Sequence, residues 1–249
     1  MSSPEDLVRQ GLEMLGFTPD GETVDLFMIY LHEIQRWNRK VRLVSNPDPS
    51  LVAVRHLLDS LAVRPVLEEL SAERGRSGSA KDPEGAVLQA GDVRGTPEDK
   101  LPAADLGSGG GFPAVPLAVM YPELRIDMVE RKTKKAAFLR SIVGLLGLGD
   151  RVRVLEEDAA HLSAASFDYS LVFSRAFRPL SEAVKTALPL IDGGGCFLFY
   201  GGKREQIEDE LELILSESES RRGSTRAASV PEETVPVLPR IVPLEVPFL

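Results

Sequence analysis

The chain has 249 residues, 43% of them hydrophobic, and a formal net charge of −9, enough to bury a full core in one large domain or in one domain with an appendage. No run approaches the roughly 18 apolar residues of a membrane span, and the first ten residues are polar and acidic, unlike a secretory signal, so a cytoplasmic protein is expected. The acidic total argues against a general affinity for nucleic acid, which Lys and Arg drive by neutralising phosphate, while leaving room for a local basic face.

From Val24 to Val41 the residues Phe27, Tyr30, Leu31, Ile34, Trp37, Asn38 and Val41 recur at helical spacing, with Asn38 the one polar member, which predicts a helix with one buried stripe. Its basic end, with Arg36, Arg39, Lys40 and Arg42, already suits the helix dipole. A second helix is expected from Ser50 to Leu70, with Val54, Leu57, Leu58, Leu61 and Leu67 inward and a kink or break at Pro65. On it Arg55, His56, Asp59 and Ser60 form a polar cluster in which Arg55 and Asp59 are spaced to pair. Residues Ser71 to Lys100 turn rich in Gly, Ser, Pro and charge, which reads as an insertion or mobile loop rather than a core element.

The stretch Ala103 to Leu117, A-A-D-L-G-S-G-G-G-F-P-A-V-P-L, reads as a buried strand ending in an acid, then a glycine loop, then a helix opening near Pro113. In α/β proteins a nucleotide-like ligand sits at such a junction, beyond the carboxyl ends of the strands. Two cofactors compete for it. Gly109, Gly111 and Ala114 fit G-x-G-x-x-A, a dinucleotide pattern. Asp105 favours S-adenosylmethionine, because a carboxylate repels pyrophosphate but pairs with the ammonium of a methionine moiety.

Strands and helices then alternate: strands at Arg125 to Val129, Val152 to Leu155 and Asp168 to Phe173, a helix at Lys134 to Leu146, and an apolar strand at Cys196 to Tyr200. Lys203 opens an acidic helix, and Arg240 to Val246 is a last edge strand. The pattern predicts an α/β fold with a mainly parallel sheet covered by helices on both faces. Asp105, Glu130, Asp158 and Arg175 fall at successive strand ends, with Glu130 placed to accept from ribose hydroxyls and Asp158 from an adenine amino group. Arg131, Lys132, Lys134 and Lys135 crowd the positive end of a helix dipole, each at a cost of about 0.3 to 1 kcal/mol, which points to RNA phosphate as a partner or to a solvated basic face. Cys196 reads as a small buried hydrophobe, and His32, His56 and His161 lack ligand spacing, so no metal is expected.

Trp37-Asn38, Arg55-His56 with Asp59-Ser60-Leu61, D-L-G-S-G-G-G-F-P-A-V-P-L-A at Asp105 to Ala118, and S-R-A-F at Ser174 to Phe177 together resemble the RsmG (GidB) family. The likeness covers most of the chain apart from Ser71 to Lys100. It implies a class I (Rossmann-like) S-adenosylmethionine methyltransferase fold, with an N-terminal helical extension over residues 1–70, a flexible insertion over 71–100 and the core over 101–249. It further implies methylation of N7 of a guanine in small-subunit ribosomal RNA. By matching motif positions, Gly107 and Phe112 are expected at the cofactor, Glu130 at the ribose, and Asp158 with Ala159 at the adenine; the acid and glycines of the loop, Asp105, Gly109 and Gly111, are expected at the cofactor as well. Arg175 is expected beside both cofactor and target base, as the catalytic residue. RNA contacts are expected from Arg55, His56, Arg131, Lys132, Lys134, Lys135 and Lys203. The family usually has asparagine where Arg42 stands and a lysine-glycine pair where Tyr200-Gly201 stands. A monomer acting on ribosomal RNA or a ribosomal particle is the reading; a methyltransferase of small molecules or proteins, or a nucleotide-binding module without catalysis, is the alternative.

Overall fold

The computed structural model describes residues 2–78, 101–162, 167–175, 179–201, 207–212, 214 and 216. Each of the first three helices begins at a polar residue whose side chain accepts a backbone N–H that the helix itself leaves unpaired. Ser3 and Asp6 cap α1 (Pro4–Met14) reciprocally: Ser3 Oγ accepts from Asp6 N at 3.1 Å and Asp6 Oδ2 from Ser3 N at 3.0 Å. Asp20 accepts from Thr23 N at 2.7 Å to open α2 (Gly21–Asn38), and Asp48 accepts from Leu51 N at 3.0 Å to open α3 (Pro49–Val52). The polar exception in the α2 stripe, Asn38, turns the chain out of the helix, since its Oδ1 accepts from Leu43 N at 2.7 Å and Val44 N at 3.0 Å.

The segment expected as one helix over Ser50 to Leu70 is four pieces. After α3 the chain widens into a π-helical turn over Ala53–Leu58, tightens again as α4 (Asp59–Leu61), and breaks before α5 (Arg64–Gly78). The break expected at Pro65 falls just before it: Pro65 lies in the first turn of α5, where its missing N–H costs nothing, so it starts the next helix. Because α5 continues to Gly78, the first eight residues of the expected insertion are helical; 79–100 lie outside the described residues.

Beyond them come β1 (Leu101–Leu106), α6 (Ala114–Met120), β2 (Leu124–Val129), α7 (Thr133–Leu145), β3 (Val152–Leu155), a short 3₁₀ turn at Ala159–His161, β4 (Tyr169–Arg175), α8 (Leu180–Ala187) and β5 (Ile191–Tyr200). The five strands form one parallel sheet in the order β3-β2-β1-β4-β5. The strand order reverses between β1 and β4, whose register pairs Asp105 with Phe173 and Leu106 with Ser174. A ligand crevice belongs at that switch point, beyond the carboxyl ends. The acidic helix is seen over 207–212; Lys203 and the strand expected at Arg240 to Val246 lie outside the described residues.

One face of the sheet, with Ala103, Ile126, Met128, Leu171 and Phe173, packs against α1, α2, the π-turn, α6 and α7 through Leu12, Phe27, Tyr30, Leu57, Leu117 and Phe138 in a single apolar cluster. The other face, with Ala104, Leu106, Val129, Tyr169 and Val172, packs against Ala159, Ala187 and Leu190. On that second face the buried Asp127 carboxylate is satisfied by Arg153, at 2.7 and 2.5 Å, and by the Tyr169 hydroxyl at 2.9 Å, tying β2, β3 and β4 together. Among the described residues no helix is long and apolar enough to cross a membrane.

Candidate active site

The glycine loop is held open by three backbone positions that only glycine adopts without strain: Gly107, Gly109 and Gly111 have φ of 78°, 56° and 87°. Gly107 N and Ser108 N both donate to the Val129 carbonyl, at 2.8 and 3.1 Å, so the loop hangs on the end of β2. Glu130, 6% exposed, extends this attachment: Oε2 accepts from Gly109 N at 3.1 Å and Oε1 from Lys132 N at 2.8 Å. Each carboxylate oxygen has a second lone pair, so both remain able to accept from hydroxyls.

Asp105 is 1% exposed, and neither of its carboxylate oxygens has a hydrogen bond of good geometry. The Ser108 hydroxyl donates at 2.9 Å to the Asp105 main-chain carbonyl instead. Burial pushes the carboxyl up to about 7 and Glu130 adds to the rise, while nearby Ser108, Ala114 and Arg175 offset part of it. A desolvated, unsatisfied carboxylate is an unfavourable group in an empty fold, and an ammonium placed against it would satisfy it. The residues at this strand end therefore fit the amino-acid moiety of S-adenosylmethionine.

The loop's other side is gripped by the N-terminal helices. Tyr30 of α2, fully buried, donates from its hydroxyl to the Gly110 carbonyl at 2.6 Å. A Cβ on Gly111 would lie 2.8 Å from Val115 Cγ2 and 3.0 Å from the Tyr30 hydroxyl, so that glycine makes room for protein packing. Phe112, 7% exposed, packs between Tyr30 and His56 in tilted ring contacts with centroids 5.1 and 5.2 Å away. Burial, together with the cations Arg175 and Arg55, pulls the His56 imidazole down to about 4, which keeps it neutral near pH 7.

Arg175 closes β4 and reaches into the π-turn. Its Nη1 lies 2.5 Å from Asp59 Oδ2, its Nη2 donates to the Arg55 carbonyl at 2.6 Å, and its guanidinium carbon lies 5.9 Å from the centroid of the Tyr200 ring. The Tyr200 hydroxyl donates to the Ser60 carbonyl at 2.9 Å. The i,i+4 pairing expected between Arg55 and Asp59 thus gives way to an ion pair with an arginine far along the chain, because Asp59 is turned toward the sheet while Arg55 is exposed.

Asp158 caps the 3₁₀ turn, accepting from Ala160 N at 3.1 Å, and its Oδ2 stands 3.7 Å from Arg131 Nη1; Ala159 is buried beneath it in the second core. At the start of α7 Glu130 accepts the Lys132 backbone N–H, Arg131 leans to Asp158, and the Lys135 ammonium lies beside the loop, 3.6 Å from where a Gly109 Cβ would be. Lys132 and Lys134 are exposed. Lys203 lies outside the described residues, as do Ala176 and Phe177. Sequence reasoning missed three contributors: Tyr30, read as core; Asp59, read as a local ion-pair partner; and Tyr200, whose phenol ties β5 to α4.

An all-parallel sheet in this order, with a glycine loop after its central strand and an acid after β2, is a Rossmann-like nucleotide-binding fold, and the buried acid at the end of β1 fits it to S-adenosylmethionine, as in the class I methyltransferases. Residues 93–227 match the GidB family, described as rRNA small subunit methyltransferase G. Proteins named ribosomal RNA small subunit methyltransferase G are similar over most of their length. That of Leptothrix cholodnii is 32% identical over 208 residues, covering 84% of this chain and 83% of its own. That of Bordetella petrii is 32% identical over 230 residues, covering 92% and 79%. That of Roseiflexus castenholzii is 34% identical over 202 residues, covering 79% and 71%. The chain belongs to the rRNA small subunit methyltransferase G family.

Proposed function

We propose that this protein transfers a methyl group from S-adenosylmethionine to N7 of a guanine in small-subunit ribosomal RNA, acting in the cytoplasm as a monomer on the RNA or on a ribosomal particle. The observation that carries the cofactor half of this reading is Asp105, a buried carboxylate at the end of β1 with both oxygens unsatisfied. The RNA half rests on membership of the family and on the exposed cations Arg55, Arg131, Lys132 and Lys134 around the same strand ends.

S-adenosylmethionine supplies, when bound, a methyl group made electrophilic by its sulfonium. Asp105 holds the ammonium, Gly107 and Gly109 let the backbone come close, Glu130 accepts from the ribose hydroxyls, and Asp158 with Ala159 lies at the adenine. Gly111 and Phe112 serve the site indirectly, by locking the loop to Tyr30 and His56. Guanine N7 carries an in-plane lone pair and no proton, so no general base is required. The protein's task is to position the base and to exclude water, and holding two reactants in line recovers several kcal/mol of encounter entropy. Arg175, at the end of β4 beside the switch point, is the residue we assign to orienting the base. The base must be exposed to enter, either in a loop or turned out of its stack.

Titration calorimetry with S-adenosylmethionine and with NAD tests the cofactor half; binding of NAD alone would overturn it. Mass spectrometry of ribosomal RNA nucleosides from a strain lacking the gene tests the rest, with loss of one 7-methylguanosine expected and an unchanged modification pattern contradicting it.

A further inference from the structure

The reading of Arg175 as the arginine beside cofactor and base leaves open what fixes its side chain. We infer that Asp59 is the positioning residue for Arg175, and that the π-turn of the N-terminal helices is the device that delivers it. This inference rests on the proposed function.

Three groups hold the guanidinium, and all belong to, or are anchored on, the same short segment. The Asp59 carboxylate meets Nη1 at 2.5 Å and the Arg55 carbonyl accepts from Nη2 at 2.6 Å. Tyr200, whose ring lies 5.9 Å from the guanidinium carbon, is itself pinned by donating to the Ser60 carbonyl at 2.9 Å. The Arg175 and Asp59 side chains are only 18% and 15% exposed, so the pair is poorly screened and each member needs the other. Nη2 is hydrogen-bonded while Nη1 meets Asp59 as an ion pair without hydrogen-bond geometry, so the plane of the guanidinium is set by one directed bond and one charge contact, which a lone ammonium in its place would lack.

The backbone favours the same conclusion. A regular α-helix over Ala53–Leu58 would keep a narrower ladder; the π-helical turn is rare and recurs at functional sites. Here it brings the Arg55 carbonyl and the Asp59 carboxylate to one arginine at the end of β4, while the Arg55 side chain stays exposed. The Ser60 hydroxyl donates at 2.5 Å to the His56 carbonyl, fastening the segment's exit. Asp59 touches no reacting atom in this scheme and acts through Arg175.

The test is a double-mutant cycle read in methyl transfer from labelled S-adenosylmethionine to small ribosomal subunits prepared from a strain lacking the gene. Arg175→Ala measures the arginine alone. Asp59→Ala is expected to lower kcat at least tenfold while the calorimetric Kd for S-adenosylmethionine changes less than threefold. In the Arg175→Ala background the same change should alter kcat less than threefold, because its target is already gone. A purely structural Asp59 would instead lower kcat by the same factor in both backgrounds, in step with a lowered melting temperature, and that result overturns the inference. Asp59→Asn, which keeps shape and an accepting oxygen, should retain more activity than Asp59→Ala and supplies the answer if the alanine variant fails to fold; full parental kcat in Asp59→Asn and Asp59→Ala alike also overturns it. Unchanged kcat in Arg175→Ala alone would sink the underlying reading of Arg175, and the inference with it, whatever Asp59 does.

Discussion

Asp105 and His56 give the fold two opposite pH dependences. Asp105 titrates near 4 when unfolded and at about 7 in the fold, chiefly through burial. Between those values the folded protein holds a proton that the unfolded chain has released, so this residue's share of stability is full below about pH 4, declines toward pH 7 and stays lost above it. Asp105→Asn should therefore raise the melting temperature of the unliganded protein at pH 8 and much less at pH 5, and weaken S-adenosylmethionine binding by roughly 1.5 to 3 kcal/mol. Calorimetric melting at the two pH values and titration with the cofactor check both; equal melting shifts at pH 5 and 8 would contradict the charge argument. His56 runs the other way, since burial draws it from the ordinary 6.5 to about 4. Its contribution is present above about pH 6.5 and is lost as pH falls toward 4. His56→Phe, which keeps a ring against Phe112, should make the loss of stability over that acid range shallower than in the parent.

At the scale of elements, Tyr30 links α2 to the glycine loop by a buried hydrogen bond and by its ring against Phe112. Tyr30→Phe leaves the Gly110 carbonyl without the phenol it accepts from at 2.6 Å, at a cost of about 1 to 3 kcal/mol of stability, and cofactor affinity should fall with it as the loop loosens. Melting and cofactor titration of this variant read the two effects; a stability loss with unchanged affinity would mean that the bond serves the core alone. The start of α7 predicts a different split. Replacing the exposed Lys132 and Lys134 with alanine should lower RNA affinity and flatten its salt dependence by about one unit per lost phosphate contact, with cofactor binding nearly unchanged. Binding to small-subunit RNA over a salt series checks this, and an unchanged slope leaves the helix start as a solvated face. These elements also explain what a sequence discloses. The strands and the acids at their ends were legible because a buried parallel strand is a short apolar run and its carboxyl end is where polarity returns. The π-turn was not, because Val54, Leu57, Leu58 and Leu61 keep helical spacing through it, and its hydrogen-bond partner outside the helices, Arg175 on the Arg55 carbonyl, lies 120 residues away in the chain. For the same reason Asp59 looked like a partner for Arg55. Helix α1 falls within the helical extension expected over residues 1–70, and its bounds follow from Ser3, Pro4 and Asp6, which carry its start signal, and from Val8 and Leu12, which are buried.

Across the whole molecule, the N-terminal helices and one face of the sheet share a single apolar cluster, from Val8 through Tyr30 and Leu58 to Phe138 and Phe173. A chain beginning at Leu101 would leave Ala103, Ile126, Met128, Leu171 and Phe173 partly uncovered, along with the Tyr30 grip on the loop. Such a truncation should aggregate on expression and, where recovered, fail to bind S-adenosylmethionine; a soluble, binding-competent fragment would show the helices to be an appendage. Cofactor loop, arginine and N-terminal layer thus form one unit at the switch point, with the exposed cations Arg55, Arg131, Lys132 and Lys134 around it. The most direct measurement is nucleoside mass spectrometry of small ribosomal subunits from a strain lacking the gene, after incubation with this protein and methyl-labelled S-adenosylmethionine. One labelled 7-methylguanosine per small-subunit RNA is the predicted result; label on another atom or another base, or none while the cofactor is bound, would contradict it.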